Sequence, residues 1–295
     1  MKGIKHMVEN LYELTTPQKS IWNTEKYFEG TTINNICASV TIFDKLDVNA
    51  LKNAVYNIVR KNDSFRTRII IKDNTPVQYF CAFKPFEIET FEITDDSKFE
   101  KIKEDLINYK FDIIDSNLFC FKIAKFHDGH GILIFVVHHI IADSWSLGLF
   151  GQDIMQEYNH FTKGTIELTP NFSYQDYIPS LIDYKKSQKF QNDKKYWEEL
   201  FQIVPEKVSF PACKKIDKDI SYKSKRETFE IHNTQAIKKF CEENKISIFN
   251  FYLSIYSIYL ARTSRQEDIV IGTPILNRTN FKEKNTMGMF INTIP

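Results

Sequence analysis

The sequence predicts a mixed α/β protein, and three stretches carry that prediction. Two apolar runs, residues 118–126 and 132–137, flank Asp128–Gly129, the signature of a tight hairpin. Ile36, Ala38, Val40 and Ile42 alternate with Cys37, Ser39, Thr41 and Phe43, as along a half-buried strand. Behind Asp47, a fitting N-cap, the apolar residues Leu51, Ala54, Val55, Ile58 and Val59 recur instead at helical spacing. With 295 residues, 42% of them hydrophobic, the chain can bury a large core in one or two domains.

The remaining elements follow in order. Thr16 as N-cap, Pro17 at the first helical position and Gly30 beyond the end frame an opening helix. Residues 77–82 read as a strand, and residues 99–109 as an amphipathic helix with Ile102, Leu106 and Ile107 in register. After Asp143, a helix lays Leu147, Phe150, Ile154, Met155 and Tyr158 along one face. Gly164, Pro170 and Asn171 then break the periodicity, so a division is expected within residues 162–173. A long polar helix over 181–201 follows, its lysines forming a solvated face. Residues 247–261 are apolar almost all round and predict a buried helix, which leads into a buried strand and turn at 268–278.

Charge and cysteines narrow the function classes. Lys and Arg number 39 against 38 Asp and Glu, a net +1, so no nucleic-acid or polyanion surface is expected. Cys37, Cys81, Cys120, Cys213 and Cys241 are odd in number and scattered, as in a protein kept reduced. Neither a signal peptide nor a run of transmembrane length is present, so a soluble cytoplasmic protein without membrane contact is expected.

The chemistry is expected in residues 131–150, GILIFVVHHIIADSWSLGLF. Side chains alternate across a strand, so Ile132, Ile134, Val136 and His138 share one face and Leu133, Phe135, Val137 and His139 the other. One histidine is therefore expected in packed interior and the other at a cleft, where an imidazole with an ordinary pKa of about 6.5 suits proton transfer. A Ser-His-Asp triad of Ser144 or Ser146 with His139 and Asp143 is the first alternative. It lacks a Gly-x-Ser-x-Gly elbow, and triad members are usually recruited from distant segments. A metal site is the second, but adjacent strand histidines diverge and no other His/Cys cluster completes a ligand set. The plain structural reading is a strand end followed by a helix capped by Asp143 or Ser144.

His138-His139-x-x-x-Asp143 followed by Ser144-Trp145 resembles the His-His-x-x-x-Asp-Gly motif of condensation domains from nonribosomal peptide synthetases. That family shares the chloramphenicol acetyltransferase-like fold. Further stretches carry the same resemblance: Gln18 and Trp22 in the opening helix, Arg66 and Thr67 after the second, and SYQDYIPSL with Tyr177 for the family's phenylalanine. The Gly-Thr-Pro segment at 272–274 and MGMFINTIP at the end complete it. The resemblance implies a V-shaped pair of acetyltransferase-like lobes, residues 1–168 forming the first and residues 169–295 part of the second. The family's second lobe continues beyond this point, so the chain is expected to be truncated there.

The resemblance also implies a function: amide formation between a donor thioester on one carrier protein and an acceptor amine on another. It assigns the chemistry to His139, the shaping of the loop to His138, and the holding of that loop to Asp143 paired with Arg278. Ser144 replaces the family's glycine and, with Trp145, supports the site. No cofactor is bound directly, since phosphopantetheine arrives on the partner carriers, and adenylation domains are the expected neighbours. A freestanding acyltransferase, or an inactive carrier-binding module, is the rival reading.

Overall fold

Stretches of period two and period 3.6 alternate along the chain, and the elements follow them. The first half holds β1 (Tyr12–Glu13), α1 (Thr16–Tyr27), β2 (Asn35–Ile42), α2 (Val48–Lys61), β3 (Thr67–Lys72) and β4 (Thr75–Phe80). It continues with β5 (Glu89–Ile93), α3 (Asp96–Ile107), β6 (Phe119–Phe126), β7 (Gly131–His138) and α4 (Ser144–Lys163). Then come α5 (Tyr174–Lys186), α6 (Gln188–Leu200), α7 (Thr234–Glu243), α8 (Ile248–Ser264), β8 (Thr273–Ile275), α9 (Phe281–Lys284) and β9 (Asn292–Ile294). This computed structural model describes residues 10–165, 170–208 and 227–295. Cys213, the first nine residues and part of the expected division at 162–173 lie outside them.

The hairpin and the alternating stretch meet in one sheet of order β2-β7-β6-β5, antiparallel except for the β5–β6 pair. The turn between β6 and β7 is longer than the two-residue signal predicts. It runs from His127 to His130, with Gly129 at φ +97° and its N–H on the Phe126 carbonyl. Both faces of this sheet are covered. Leu133, Phe135 and Val137 share a core with Leu51, Val55 and Phe150, while Ile134 and Val136 pack with Ile102 and Leu106. Central strand β7 is therefore buried throughout apart from Ile132. A second sheet, β1-β4-β3, is antiparallel.

The chain divides into two compact units. One takes the described chain up to Ser187 together with Ile275–Asn292, the other Gln188–Pro274 with Thr293–Pro295. Residues 170–187 and 275–292 thus lie in the first compact unit. A physical reason lies at the start of α5: Asp63 accepts hydrogen bonds from the main-chain N–H groups of Tyr174 (2.8 Å) and Gln175 (3.0 Å), tying that helix to the end of α2.

Several element boundaries differ from expectation. Thr15, not Thr16, caps α1: its hydroxyl accepts from Gln18 N–H while the Gln18 side chain accepts from Thr15 N–H, a reciprocal box that a glutamine at the third position completes. The polar helix expected over 181–201 is two helices, α5 and α6, separated at Ser187, whose ψ of 156° is extended. In α3, Ile107 is exposed, being one residue out of step with Ile102 and Leu106. The predicted buried helix, α8, buries only Leu260, and Phe249 stands 55% exposed. Apolar residues are buried only where another layer covers them, and among the described residues much of the apolar surface of α8 has no such cover.

Candidate active site

Strand β7 ends on His138, whose register partner on β2 is Asn35. The alternation predicted for the strand holds to its end. His138 shares the face of Ile134 and Val136, where the Phe111 ring meets it edge-on at 5.8 Å. It is 2% exposed. The Ile140 N–H donates to its Nδ1 at 3.2 Å, so that nitrogen carries no proton, and Nε2–H donates to Glu25 Oε2 at 3.3 Å. With both nitrogens engaged, His138 has no lone pair to offer a substrate.

His139, the first residue beyond the strand, is half-buried. Its main-chain N–H donates to the Asn34 carbonyl at 2.7 Å, which pins the loop to the start of β2. Its Nδ1 is buried with no hydrogen-bond partner among the described residues. A buried polar atom left unpaired costs about 1–3 kcal/mol, a penalty that structures tolerate chiefly where function requires it. Nε2 is the ring nitrogen left for an incoming group.

Asp143 is 0% exposed and serves three purposes at once. It is the N-cap of α4, accepting from Ser146 N–H at 2.9 Å. It takes both arms of Arg278, Nη1 to Oδ2 at 2.7 Å and Nη2 to Oδ1 at 3.1 Å. It also accepts the N–H groups of Phe290 (3.0 Å) and Ile291 (3.1 Å) through Oδ2. Burial alone would raise its pKa, but the Arg278 hydrogen bonds and charge outweigh that and hold the carboxyl below its ordinary range. The pairing expected between Asp143 and Arg278 is therefore present, and the carboxylate faces Arg278, not His139.

Ser146 completes this cluster. Its Oγ accepts from Gly288 N–H (2.9 Å) and Arg278 Nη2 (3.0 Å), and its one proton lies between Asp143 Oδ1 and the Gly288 carbonyl, each 2.8 Å away. Such a hydroxyl is buried and saturated, which removes the triad with Ser146 as nucleophile. The Arg278 guanidinium also lies over the Phe290 ring, 4.1 Å from its centre. Gly288 is required by close approach, since a Cβ there would stand 2.2 Å from Tyr174 Cδ2. Tyr174, itself buried, donates its hydroxyl to the Met289 carbonyl at 2.9 Å.

Ser144 is exposed as the first residue of α4, with no left-handed backbone that would demand glycine. Trp145 is 40% exposed and donates its indole N–H to the Lys284 carbonyl at 2.9 Å. Gln18 and Gln78, each 0% exposed, exchange two 2.8 Å amide hydrogen bonds, and Gln18 also donates to the Ile140 carbonyl at 3.1 Å. Gln18 thus supports the loop from beneath, where the sequence suggests only packing. Gln78, Asn34 and Glu25 escaped sequence reasoning altogether because nothing local marks them. Ser146 has a signal, an Asp-x-x-Ser spacing at a helix start.

No cluster of three or more His, Cys, Asp or Glu suited to a metal occurs among the described residues, and no described helix is long and apolar enough to cross a membrane. A cavity of about 190 Å³ lined by Phe65, Arg66, Arg68, Phe83, Lys84 and Phe86 contains no residue of the histidine loop.

A buried strand ending in paired histidines, with an aspartate at the head of the next helix locked by an arginine, defines a protein of the chloramphenicol acetyltransferase-like fold. Solved chains of that fold align closely: the condensation domain of the monacolin K polyketide synthase at a TM-score of 0.81 and 18% identity, over 96% of this chain and 66% of that one. The first condensation domain of the calcium-dependent antibiotic synthetase, in complex with a substrate analogue, aligns at 0.78 and 17%, over 97% and 69%. Residues 8–295 match the Condensation domain family, and the chain belongs to it. Among curated relatives, surfactin synthase subunit 1 of Bacillus subtilis (strain 168) is 33% identical over 96% of this chain. Bacitracin synthase 3 of Bacillus licheniformis is 28% identical over 96%. The chain spans 8% and 4% of the length of those two proteins.

Proposed function

We propose that the chain catalyses amide formation in nonribosomal peptide synthesis, joining a donor acyl thioester on one carrier protein to the amine of an aminoacyl group on another. The amine nitrogen attacks the thioester carbonyl carbon, the C–S bond breaks as the C–N bond forms, and the proton lost by nitrogen ends on the released thiol. His139 takes that proton, or orients the amine and supports the tetrahedral intermediate, through Nε2. Asp143 and Arg278 hold the loop without exchanging protons, and His138 shapes it. Main-chain N–H groups at the head of α4, near Ser144, face the developing oxyanion, favoured by the positive end of the helix dipole.

One observation carries this assignment: Asp143 is fully buried and bidentate to Arg278, so the loop's only half-exposed titratable side chain is His139. The thioesters reach the site on phosphopantetheine arms that belong to the carriers, with adenylation domains as neighbours, in the cytoplasm. Residues 1–168 act as the first acetyltransferase-like lobe and residues 169–295 as part of the second. An exposed Ser144 with ordinary helical backbone lends no support to a retired site.

The test is carrier-to-carrier transfer by the natural protein, read by intact-protein mass spectrometry, for wild type and His139→Ala. Condensed product from wild type and none from the variant supports the reading. Carrier binding without transfer across a broad donor set favours the inactive module. Transfer to a free small amine or alcohol, but not to a carrier, favours the freestanding acyltransferase.

A further inference from the structure

Glu25 sits near the end of α1, 113 residues from the histidine it touches. Its Oε2 accepts two hydrogen bonds, from Asn34 Nδ2 at 2.7 Å and from His138 Nε2 at 3.3 Å. Each donor carries the connection onward. The Asn34 carbonyl accepts the His139 N–H at 2.7 Å, and His138 Nδ1 accepts the Ile140 N–H at 3.2 Å. One carboxylate oxygen therefore governs the two main-chain amides that bracket the His139 side chain.

From this we infer that Glu25 is a positioning residue for His139: it fixes the turn on both sides and keeps His138 in the Nε2–H tautomer. The inference rests on the proposed role of His139. A tautomer change would place a proton on Nδ1, where it would meet the Ile140 N–H head-on, and the loop would lose that anchor. A carboxylate acceptor at Nε2 opposes the change. Glu25's side chain is 17% exposed, so solvent competes weakly for these bonds. The hydrogen bond from His138, and with it that from Asn34, lowers its pKa against the opposing effect of burial, so the acceptor stays ionised. The Lys26 charge favours the same form.

Two variants of the natural protein test this, Glu25→Gln and Glu25→Ala, with Glu25→Met replacing the alanine variant should that one not fold. Glutamine keeps one oxygen able to accept both bonds. Two-bond ¹H–¹⁵N spectra of histidine-labelled protein report the His138 tautomer without reference to activity. Wild type and Glu25→Gln are expected to show His138 held as Nε2–H and transfer rates within about threefold of each other, whereas Glu25→Ala loses the fixed tautomer and transfers about 10- to 100-fold more slowly, the scale set by misplacing a catalytic group by about 1 Å. An alanine variant that keeps both tautomer and rate overturns the proposal, as does a folded glutamine variant as impaired as alanine. If wild type transfers nothing yet the His138 signature responds as stated, the role of His139 falls and the positioning of the turn by Glu25 stands.

Discussion

Arg278 reaches back across 135 residues to close on Asp143 with two parallel hydrogen bonds, neither side chain retaining any exposure. The aspartate holds the head of α4 and the main-chain N–H groups of Phe290 and Ile291 on the same carboxylate. Losing the arginine would strand a buried charge. Arg278→Ala is expected to destabilise the protein by about 3–5 kcal/mol, the usual consequence of breaking a buried pair by removing one partner. Arg278→Lys keeps the charge but not the fork and should fall between the two. Urea denaturation midpoints measure both.

The same pair sets a pH dependence. Asp143 is held below its ordinary carboxyl pKa of about 4 in the folded chain, so the folded state binds fewer protons than the unfolded one across that window. Its contribution is fully present above about pH 4 and falls as pH drops through the lowered value. Glu25 and Glu157 shift in the same direction and add to the effect. Thermal midpoints should be level from neutral pH down to about 5 and decline below about 4, and Asp143→Asn should flatten part of that decline from a lower starting point.

The two histidines should separate. His139→Ala is expected to cut transfer by about 10²–10⁴-fold, the scale of general acid–base catalysis, while leaving stability close to wild type, because its buried Nδ1 has no partner to lose. His138→Ala removes a buried ring and two hydrogen bonds and should lower the thermal midpoint as well. Transfer assays and calorimetry on both variants check the contrast.

Gly288 is a packing requirement. Gly288→Ala would press a methyl to within 2.2 Å of Tyr174 Cδ2 and 2.5 Å of Cε2 in a ring that is buried and hydrogen-bonded to Met289. Overpacking of this kind costs about 1–3 kcal/mol. Gly288→Ala with Tyr174→Leu should recover part of the loss in a double-mutant cycle.

Ser144→Gly restores the family's residue at a position that is exposed and has no left-handed backbone. Transfer rate and denaturation midpoint are expected to stay near wild type. A large gain in transfer would show that the hydroxymethyl obstructs the site.

Short-range patterning made much of the first unit legible. The stripe from Leu51 to Val59 recurs in the core under α2, and the run from Leu133 to Val137 in the centre of the sheet, because burial of a helix face or a central strand is written in the spacing of neighbours. Where covering layers decide, spacing alone is insufficient: α8 reads as buried, and among the described residues it is largely exposed.

The spacing His138-His139-x-x-x-Asp143 by itself pointed to one loop as the candidate site and, through the alternation of a strand, to different surroundings for its two imidazoles. Only the tertiary structure decided that Asp143 also accepts the N–H groups of Phe290 and Ile291, the latter 148 residues away, and that Glu25 and Asn34 brace the turn. Hydrogen-bond partners of a buried polar group are chosen by proximity in space, and a sequence orders residues by proximity along the chain.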